Sequence, residues 1–82
     1  MSPQVTLARY DPALGPVLFG YLWTLNKGDV VLAVSMTTHP LGWELRLLSN
    51  GTLLRSQVCK TGGDVLGISE TWHTEAAAKG WS

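Results

Sequence analysis

The side chains that ionise near neutral pH are few in this sequence: one cysteine and two histidines among 82 residues. Cys59 is the best candidate for a nucleophile, because it precedes Lys60 and the start of a predicted helix, and both features lower the pKa of a thiol. The strand alternation also suits a half-exposed structural cysteine on the same side as Arg55. A pair of Cys59 with His39 or His73 is the route to cysteine-dependent catalysis that the sequence offers.

Glu70 and His73 stand three residues apart in the predicted helix, the spacing that di-metal carboxylate bundles use. Such sites need a second motif and further carboxylates from other helices, and this chain predicts one helix. We therefore expect a solvated helix flank here, with no metal and no cofactor. His39 precedes Pro40 between two predicted hairpins, where a turn residue is the simpler interpretation.

Arg46 and Arg55 form a candidate anion contact. The Asn50-Gly51 turn predicts a hairpin in which the two arginines face each other on the outer side of the sheet. Like charges directly opposite on a sheet are unfavourable, so a compensating partner is expected. Glu44, one diagonal away, is the intramolecular solution; a bound carboxylate or phosphate, or an acidic partner, is the alternative.

The composition excludes several classes of partner. Net charge is zero and the sequence pI is about 6.7, whereas nucleic-acid binding usually leaves a basic footprint. The same balance disfavours an anionic membrane surface. The longest strongly apolar stretch, residues 17–25, is shorter than the roughly 20 residues of a membrane-spanning helix. With a single cysteine and no leader pattern at the N-terminus, we expect a soluble protein of the reducing cytoplasm.

The low content of charge also predicts a partner. Only 15% of the residues are charged and 45% are hydrophobic, with a mean hydropathy of +0.12, while about 25% is the usual charged fraction. A domain of 8.9 kDa has a large surface for its volume. We therefore expect some apolar surface to be covered by a second copy or by another protein.

Residues 17–25 and 30–38 predict a first β-hairpin, since both runs are rich in β-branched and aromatic residues and turn residues separate them. With a two- or four-residue loop Trp23 faces Leu32, and Tyr21 lies on the same side as Trp23. Neither face of this hairpin carries a charge. Because a half-solvated antiparallel strand alternates apolar with polar residues, we expect both faces to be covered.

The second hairpin and a helix follow. Residues 43–48 and 53–59 alternate around an Asn-Gly turn, the strongest short hairpin signal. The helix is expected over about 64–79, with Thr61 and Asp64 in a pattern that resembles a capping box at its start and Gly80 at its C-terminal cap. Its apolar stripe comprises Val65, Ile68, Trp72 and Ala76, widened by Leu66 and Ala77.

These elements predict an α+β fold, a four-stranded antiparallel meander with one C-terminal helix packed on one face. We expect a single domain over residues 1–82, in which 4–9 adds at most a short strand. A helix over 13–25 is the competing interpretation, which the β-branched content and Pro16 disfavour. The layout is an irregular arm at 1–16, two hairpins at 17–59 and the helix at 61–80.

Four tryptophans provide candidates for the core and for an interface. Periodicity places Trp43 and Trp72 in the core between the second hairpin and the helix. Trp23, in the uncharged first hairpin, suits core and interface equally. The candidate interface comprises side chains of the first strand: Leu18, Phe19, Tyr21, Leu22 and Trp23.

The second half of the chain, from Gly42 to Trp81, resembles a pattern of small bacterial proteins of unknown function. The pattern is a W-E-L-R strand, an S-N-G turn, an L-L-R-S-Q-V strand, and a helix with a central tryptophan that ends in K-G-W. The resemblance implies a bacterial source and the order strand, strand, helix. It implies no activity.

Three functions remain open. The first is a non-catalytic domain that works as a homodimer or as a bound subunit and hides its first hairpin. The second is a binder of an anionic or apolar metabolite in an aromatic-lined pocket, with Arg46, Arg55 or His39 as the polar contact. The third is a cysteine-dependent enzyme that uses Cys59 with a histidine.

Overall fold

A computed structural model describes residues 10–82 and confirms the predicted α+β meander. Four antiparallel strands form one open sheet in the order β1-β2-β3-β4, and a single helix follows them. The short strand expected at 4–9 lies outside the described residues. The elements are β1 (Leu18–Lys27), β2 (Val30–His39), β3 (Gly42–Ser49), β4 (Thr52–Cys59) and α1 (Gly62–Ala78).

The second hairpin closes as predicted. Asn50 and Gly51 form its two-residue turn with φ of 47° and 84°, the pair of positive values that a type I′ turn requires. Asparagine and glycine adopt such values at the lowest steric cost. This turn therefore fixes the first residue pairs of β3 and β4, of which Leu48 with Leu53 is one.

The register of the first hairpin differs from the predicted one. Its two-residue loop is Gly28-Asp29, between the paired residues Lys27 and Val30. Leu25 therefore pairs with Leu32, and Trp23 pairs with Val34 instead of the predicted Leu32. Irregularities in β1 between Leu18 and Gly20 and between Tyr21 and Trp23 then shift the pairing further. Each extra residue of a bulge reverses the alternation of side chains. Tyr21 and Trp23 consequently point to opposite faces, and their predicted common face is wrong.

A bulge also changes the second hairpin. Between the pairs Leu48↔Leu53 and Leu47↔Arg55 the strand β4 carries one extra residue. Beyond that point Arg46 pairs with Ser56 instead of Arg55. The two arginines therefore lie on opposite faces of the sheet, and the predicted contact between them is wrong.

The core lies between one face of the sheet and α1. Val34 and Leu45 have no exposed surface and pack with Val65 and Trp72 of the helix. The predicted stripe is confirmed at its centre, with Ile68 half-buried, but Ser69 is buried as well. Leu66 and Ala77 are exposed, because the helix rests on the sheet along one narrow line and turns its flanks to solvent.

The ends of the helix carry the predicted caps. The Thr61 hydroxyl accepts the backbone N–H of Asp64 at 3.1 Å, which satisfies one of the free donors of the first turn. At the other end Gly80 has a φ of 93°, and the N–H of Trp81 donates to the carbonyl of Ala76 at 3.1 Å. This is the Schellman arrangement expected at a glycine cap.

The last residues fasten the helix to the edge strand β1. Asn26 and Ser82 exchange two backbone hydrogen bonds of 2.8 and 3.0 Å. The Lys27 ammonium donates to the carbonyl of Lys79 at 2.9 Å, where a cation also meets the negative end of the helix dipole. Part of the β1 edge is thus closed by the chain itself.

Candidate functional site

The sheet face that points away from α1 is an apolar surface, which we call the open face. Strand register places its residues, since cross-strand partners share a face. Among residues 10–82 no helix lies on this side, because the one helix packs on the other side. The open face comprises Leu18, Tyr21, Val31, Leu48, Leu53 and Val58, arranged around Ala33, Ser35 and Thr37.

The centre of the open face is a trough along the inner strand β2. Ala33, Ser35 and Thr37 are small and buried, while the neighbouring strands place Tyr21 and Arg46 on either side of Ser35. The sequence predicts a covering element close to these small residues. In the part of the chain that the structure describes, only the helix side of the sheet is covered.

Four of the five candidate interface residues are exposed. Leu18 and Tyr21 lie on the open face with 53% and 58% of their surface accessible. Phe19 and Leu22 are exposed at the two irregular positions of β1. Irregularities of this kind in an edge strand change the direction of the side chains, so several apolar side chains of β1 point toward solvent.

Trp23 is the exception, because it belongs to the contact between sheet and helix. Its indole N–H donates to the Ser69 hydroxyl at 3.0 Å and lies 3.2 Å from the Ser69 carbonyl. The ring of His73 meets it edge-on with centroids 5.1 Å apart. Trp23 shares the face of its partner Val34, which is the side of the sheet on which α1 packs. Of the two interpretations that the sequence leaves open for Trp23, the structure therefore supports the core.

The two arginines have separate partners. On the open face the Arg46 Nε donates to Glu44 at 2.7 Å, which confirms Glu44 as the compensating charge. On the helix side Arg55 lies 4.5 Å from the ring centre of Trp72 and contacts Glu75 at 3.2 Å. The sheet therefore holds two local charge pairs instead of one anion site.

Cys59 does not have the environment of a nucleophile. Burial raises the pKa of its thiol, and the nearby Asp64 carboxylate raises it further. The expected lowering by Lys60 and the helix N-terminus is therefore wrong, because the side chain turns into the core with 1% of its surface exposed. Its sulfur lies 3.9 Å from the Gln57 carbonyl, to which the thiol donates.

The structure joins neither histidine to Cys59. The Nδ1 atom of His39 accepts the backbone N–H of Leu41 at 3.1 Å, and His73 packs against Trp23. Within residues 10–82 no group of three or more His, Cys, Asp or Glu side chains is placed to hold a metal ion. Glu70 and His73 both remain on the solvent side of α1.

Cavities at the end of the sheet and on its helix side lie away from the open face. The sheet-end cavity, of about 320 Å³, is lined by Tyr10, His39, Pro40, Gly42, Trp43 and Lys60. The helix-side cavity, of about 270 Å³, has an apolar floor that includes Leu47 and Trp72, with Arg55 and Lys79 at its edge.

Sequence reasoning places His39 in a turn but misses its cavity neighbours. The pairs His39↔Gly42 and Trp43↔Cys59 bring the end of β2 beside the end of β4, next to Lys60. The order of strands in a meander is the one signal that places these ends at the same edge of the sheet.

Comparison with protein-family models, with curated proteins and with solved structures finds no match to this chain. The single helix among the described residues is too short and too polar to cross a membrane.

Proposed function

We propose that the protein acts by self-association, with two copies packed through their open faces as a homodimer without catalytic chemistry. One observation carries the proposal: exposed apolar side chains occupy a sheet face on which no helix of the described residues lies. The single cysteine, free and buried, suits a reducing cytoplasm. Cysteine catalysis gains no support from its raised pKa.

The open face has the area of a dimer interface. Its exposed apolar side chains present on the order of 500 Å², near the upper end of patches on monomeric proteins. Exposed polar neighbours such as Thr24 and Ser56 extend it toward the roughly 800 Å² that each partner buries in a standard interface. The contributing apolar side chains are Leu18, Tyr21, Val31, Leu53 and Val58.

Burial of this surface outweighs the cost of association. At about 25 cal/mol per Å², the apolar surface of two copies corresponds to on the order of 25 kcal/mol. Loss of translational and rotational freedom costs on the order of 4–15 kcal/mol. A micromolar Kd needs a net of about 8 kcal/mol, so a dimer that resists dilution to micromolar concentration is within reach.

The relief of the open face suits a second copy. Leu18 and Tyr21 form a ridge on the edge strand, beside the trough formed by Ala33, Ser35 and Thr37. In a two-fold interface the same patch meets itself, so the exposed side chains of one copy pack against those of the other. Sheets packed face to face stand about 10 Å apart, which side chains of these sizes fill.

The charges on the open face allow this contact. Glu44 and Arg46 form an ion pair at 2.7 Å, so the partner meets a neutral pair and not an isolated charge. An unpaired buried charge would oppose association strongly. The charge balance therefore favours an apolar, uncharged partner surface, which a second copy provides.

The substitution Tyr21→Glu tests the proposal, with Leu66→Glu as the matched control on the exposed flank of α1. Each places one carboxylate on an exposed apolar side chain. Light scattering on a sizing column should give twice the chain mass of 8.9 kDa for the control and the single chain mass for Tyr21→Glu, with unchanged circular dichroism. A dimeric Tyr21→Glu variant would overturn the proposal, as would a monomeric Leu66→Glu variant.

A further inference from the structure

We infer that the sheet-end cavity is a binding site for a small oxyanion, a carboxylate or a phosphate. It lies at the end of the sheet where β2 turns into β3 and β4 ends, and it is separate from the open face. With a volume of about 320 Å³, it falls at the small end of the size range of ligand pockets, roughly 300–1,000 Å³.

The polar side chains that line the cavity are able to donate hydrogen bonds. Lys60 carries a positive charge and has no salt bridge within residues 10–82. The Nδ1 of His39 accepts the Leu41 N–H at 3.1 Å, which leaves the proton of the neutral ring on Nε2, a donor. The phenol of Tyr10 adds an O–H group.

The cavity also lacks the groups that would repel an anion. Among residues 10–82, no aspartate or glutamate lines it. Charge-assisted hydrogen bonds from an ammonium to a carboxylate or phosphate are about twice as strong as neutral ones. A lining of donors around one fixed cation is therefore complementary to an oxyanion and not to a cation.

A second observation concerns the indole nitrogen of Trp43. The Nε1 atom is buried and has no hydrogen-bond partner among the described residues. Buried donors in native proteins almost always have a partner, and leaving one without a partner costs about 1–3 kcal/mol. Because the ring of Trp43 lines the cavity and its N–H is not held by a hydrogen bond within the described residues, the indole N–H signal is a reporter of whatever fills the cavity.

The backbone holds this end of the sheet in a fixed shape. A side chain at Gly42 would bring its Cβ against the Cys59 carbonyl oxygen, so β3 starts in close contact with the end of β4. The Pro40-Leu41 turn is tied to His39 through its ring nitrogen. Rigid positioning of donors reduces the entropy that a ligand must overcome.

The test is a titration of the full chain, labelled with ¹⁵N, with inorganic phosphate and separately with benzoate, at constant ionic strength set with chloride. The indole N–H signal of Trp43, identified from its loss in Trp43→Phe, should shift and saturate. Lys60→Gln should raise the Kd about tenfold or more, since it removes a charge-assisted hydrogen bond. Lys79→Gln, a charge change outside this cavity, should leave the Kd unchanged.

The two probes distinguish a phosphate site from a carboxylate site, and saturation by either supports the inference. It is overturned if neither probe saturates the Trp43 signal, or if Lys60→Gln and Lys79→Gln weaken binding equally. Because Tyr21→Glu does not touch this cavity, the titration of that variant gives the same Kd whether or not the open face forms a dimer. Failure of the proposed dimer and failure of this site are thereby separated.

Discussion

The substitution Trp23→Phe isolates the contact that holds the first strand against the helix. It removes the indole N–H that donates to the Ser69 hydroxyl at 3.0 Å, a hydrogen bond of about 1 kcal/mol net. It also trims a half-buried ring and loosens its edge-on contact with His73 at 5.1 Å, which adds about 0.5–1.5 kcal/mol. We expect the free energy of unfolding to fall by about 2 kcal/mol.

Urea unfolding followed by circular dichroism measures this change. The unfolding of a dimer depends on concentration, so wild type and Trp23→Phe are compared at one concentration. The comparison is then repeated with Tyr21→Glu added to each of the two proteins. A double-mutant cycle of Trp23→Phe with Ser69→Ala should give a coupling of about 1 kcal/mol. A coupling near zero, or a loss seen only where the chain is dimeric, would refute the assignment of Trp23 to the sheet–helix contact.

Further predictions concern stability, each measured by equilibrium unfolding at fixed concentration. Gly42→Ala should lower the free energy of unfolding by about 2 kcal/mol or more, because the new Cβ would clash with the Cys59 carbonyl oxygen. Gly67→Ala, in the helix with open space around it, should raise it by about 0.5–1 kcal/mol. Equal effects of the two substitutions would contradict the close packing at Gly42. Burial raises the pKa of the Cys59 thiol, so the thiol ionises more readily in the unfolded chain than in the folded one. Wild type should therefore lose stability relative to Cys59→Ala as pH rises above about 8.5, where the unfolded thiol ionises. Parallel curves of unfolding free energy against pH for the two proteins would contradict this. Arg55→Ala should lower the free energy of unfolding by about 1 kcal/mol, because it removes the contacts with the Trp72 ring and the Glu75 carboxylate. Glu75→Gln should lower it by less than half of that. A larger effect of Glu75→Gln would contradict the assignment of most of the stabilisation to the Trp72 contact.

Local signals in the sequence were sufficient for the elements and their order. The Asn50-Gly51 pair determines a turn by its backbone preferences, and Thr61 and Gly80 mark the helix ends through their caps. These effects act within a few residues, so a single sequence carries them in full. The helix stripe follows from the same short-range periodicity, although only packing decides that Leu66 is left outside.

The strand faces were harder to predict because they depend on bulges. The extra residues in β1 and β4 have no distinctive residue type, yet each one reverses the side of every residue beyond it. Tyr21 and Arg55 were misplaced for this reason. Among residues 10–82 the single helix packs on the other face, and side chains such as Tyr21 and Leu53 at the margins of the open face are exposed.

The chemistry of Cys59 was misjudged for a different reason. Its neighbour Lys60 and the following helix were visible in the sequence, whereas the burial of the thiol depends on contacts with distant elements. Desolvation is the larger effect on its pKa, and Asp64 adds to it. The sheet-end cavity likewise joins residues of three chain segments, of which only His39 was a candidate.

The mass of the wild-type protein in solution, measured by light scattering over a dilution series, tests the central claim most directly. Self-association through the open face predicts twice the chain mass of 8.9 kDa, and this mass should persist on dilution to about 1 μM. A Kd in that range corresponds to a binding free energy of about 8 kcal/mol. A single chain mass at every concentration would contradict self-association through the open face.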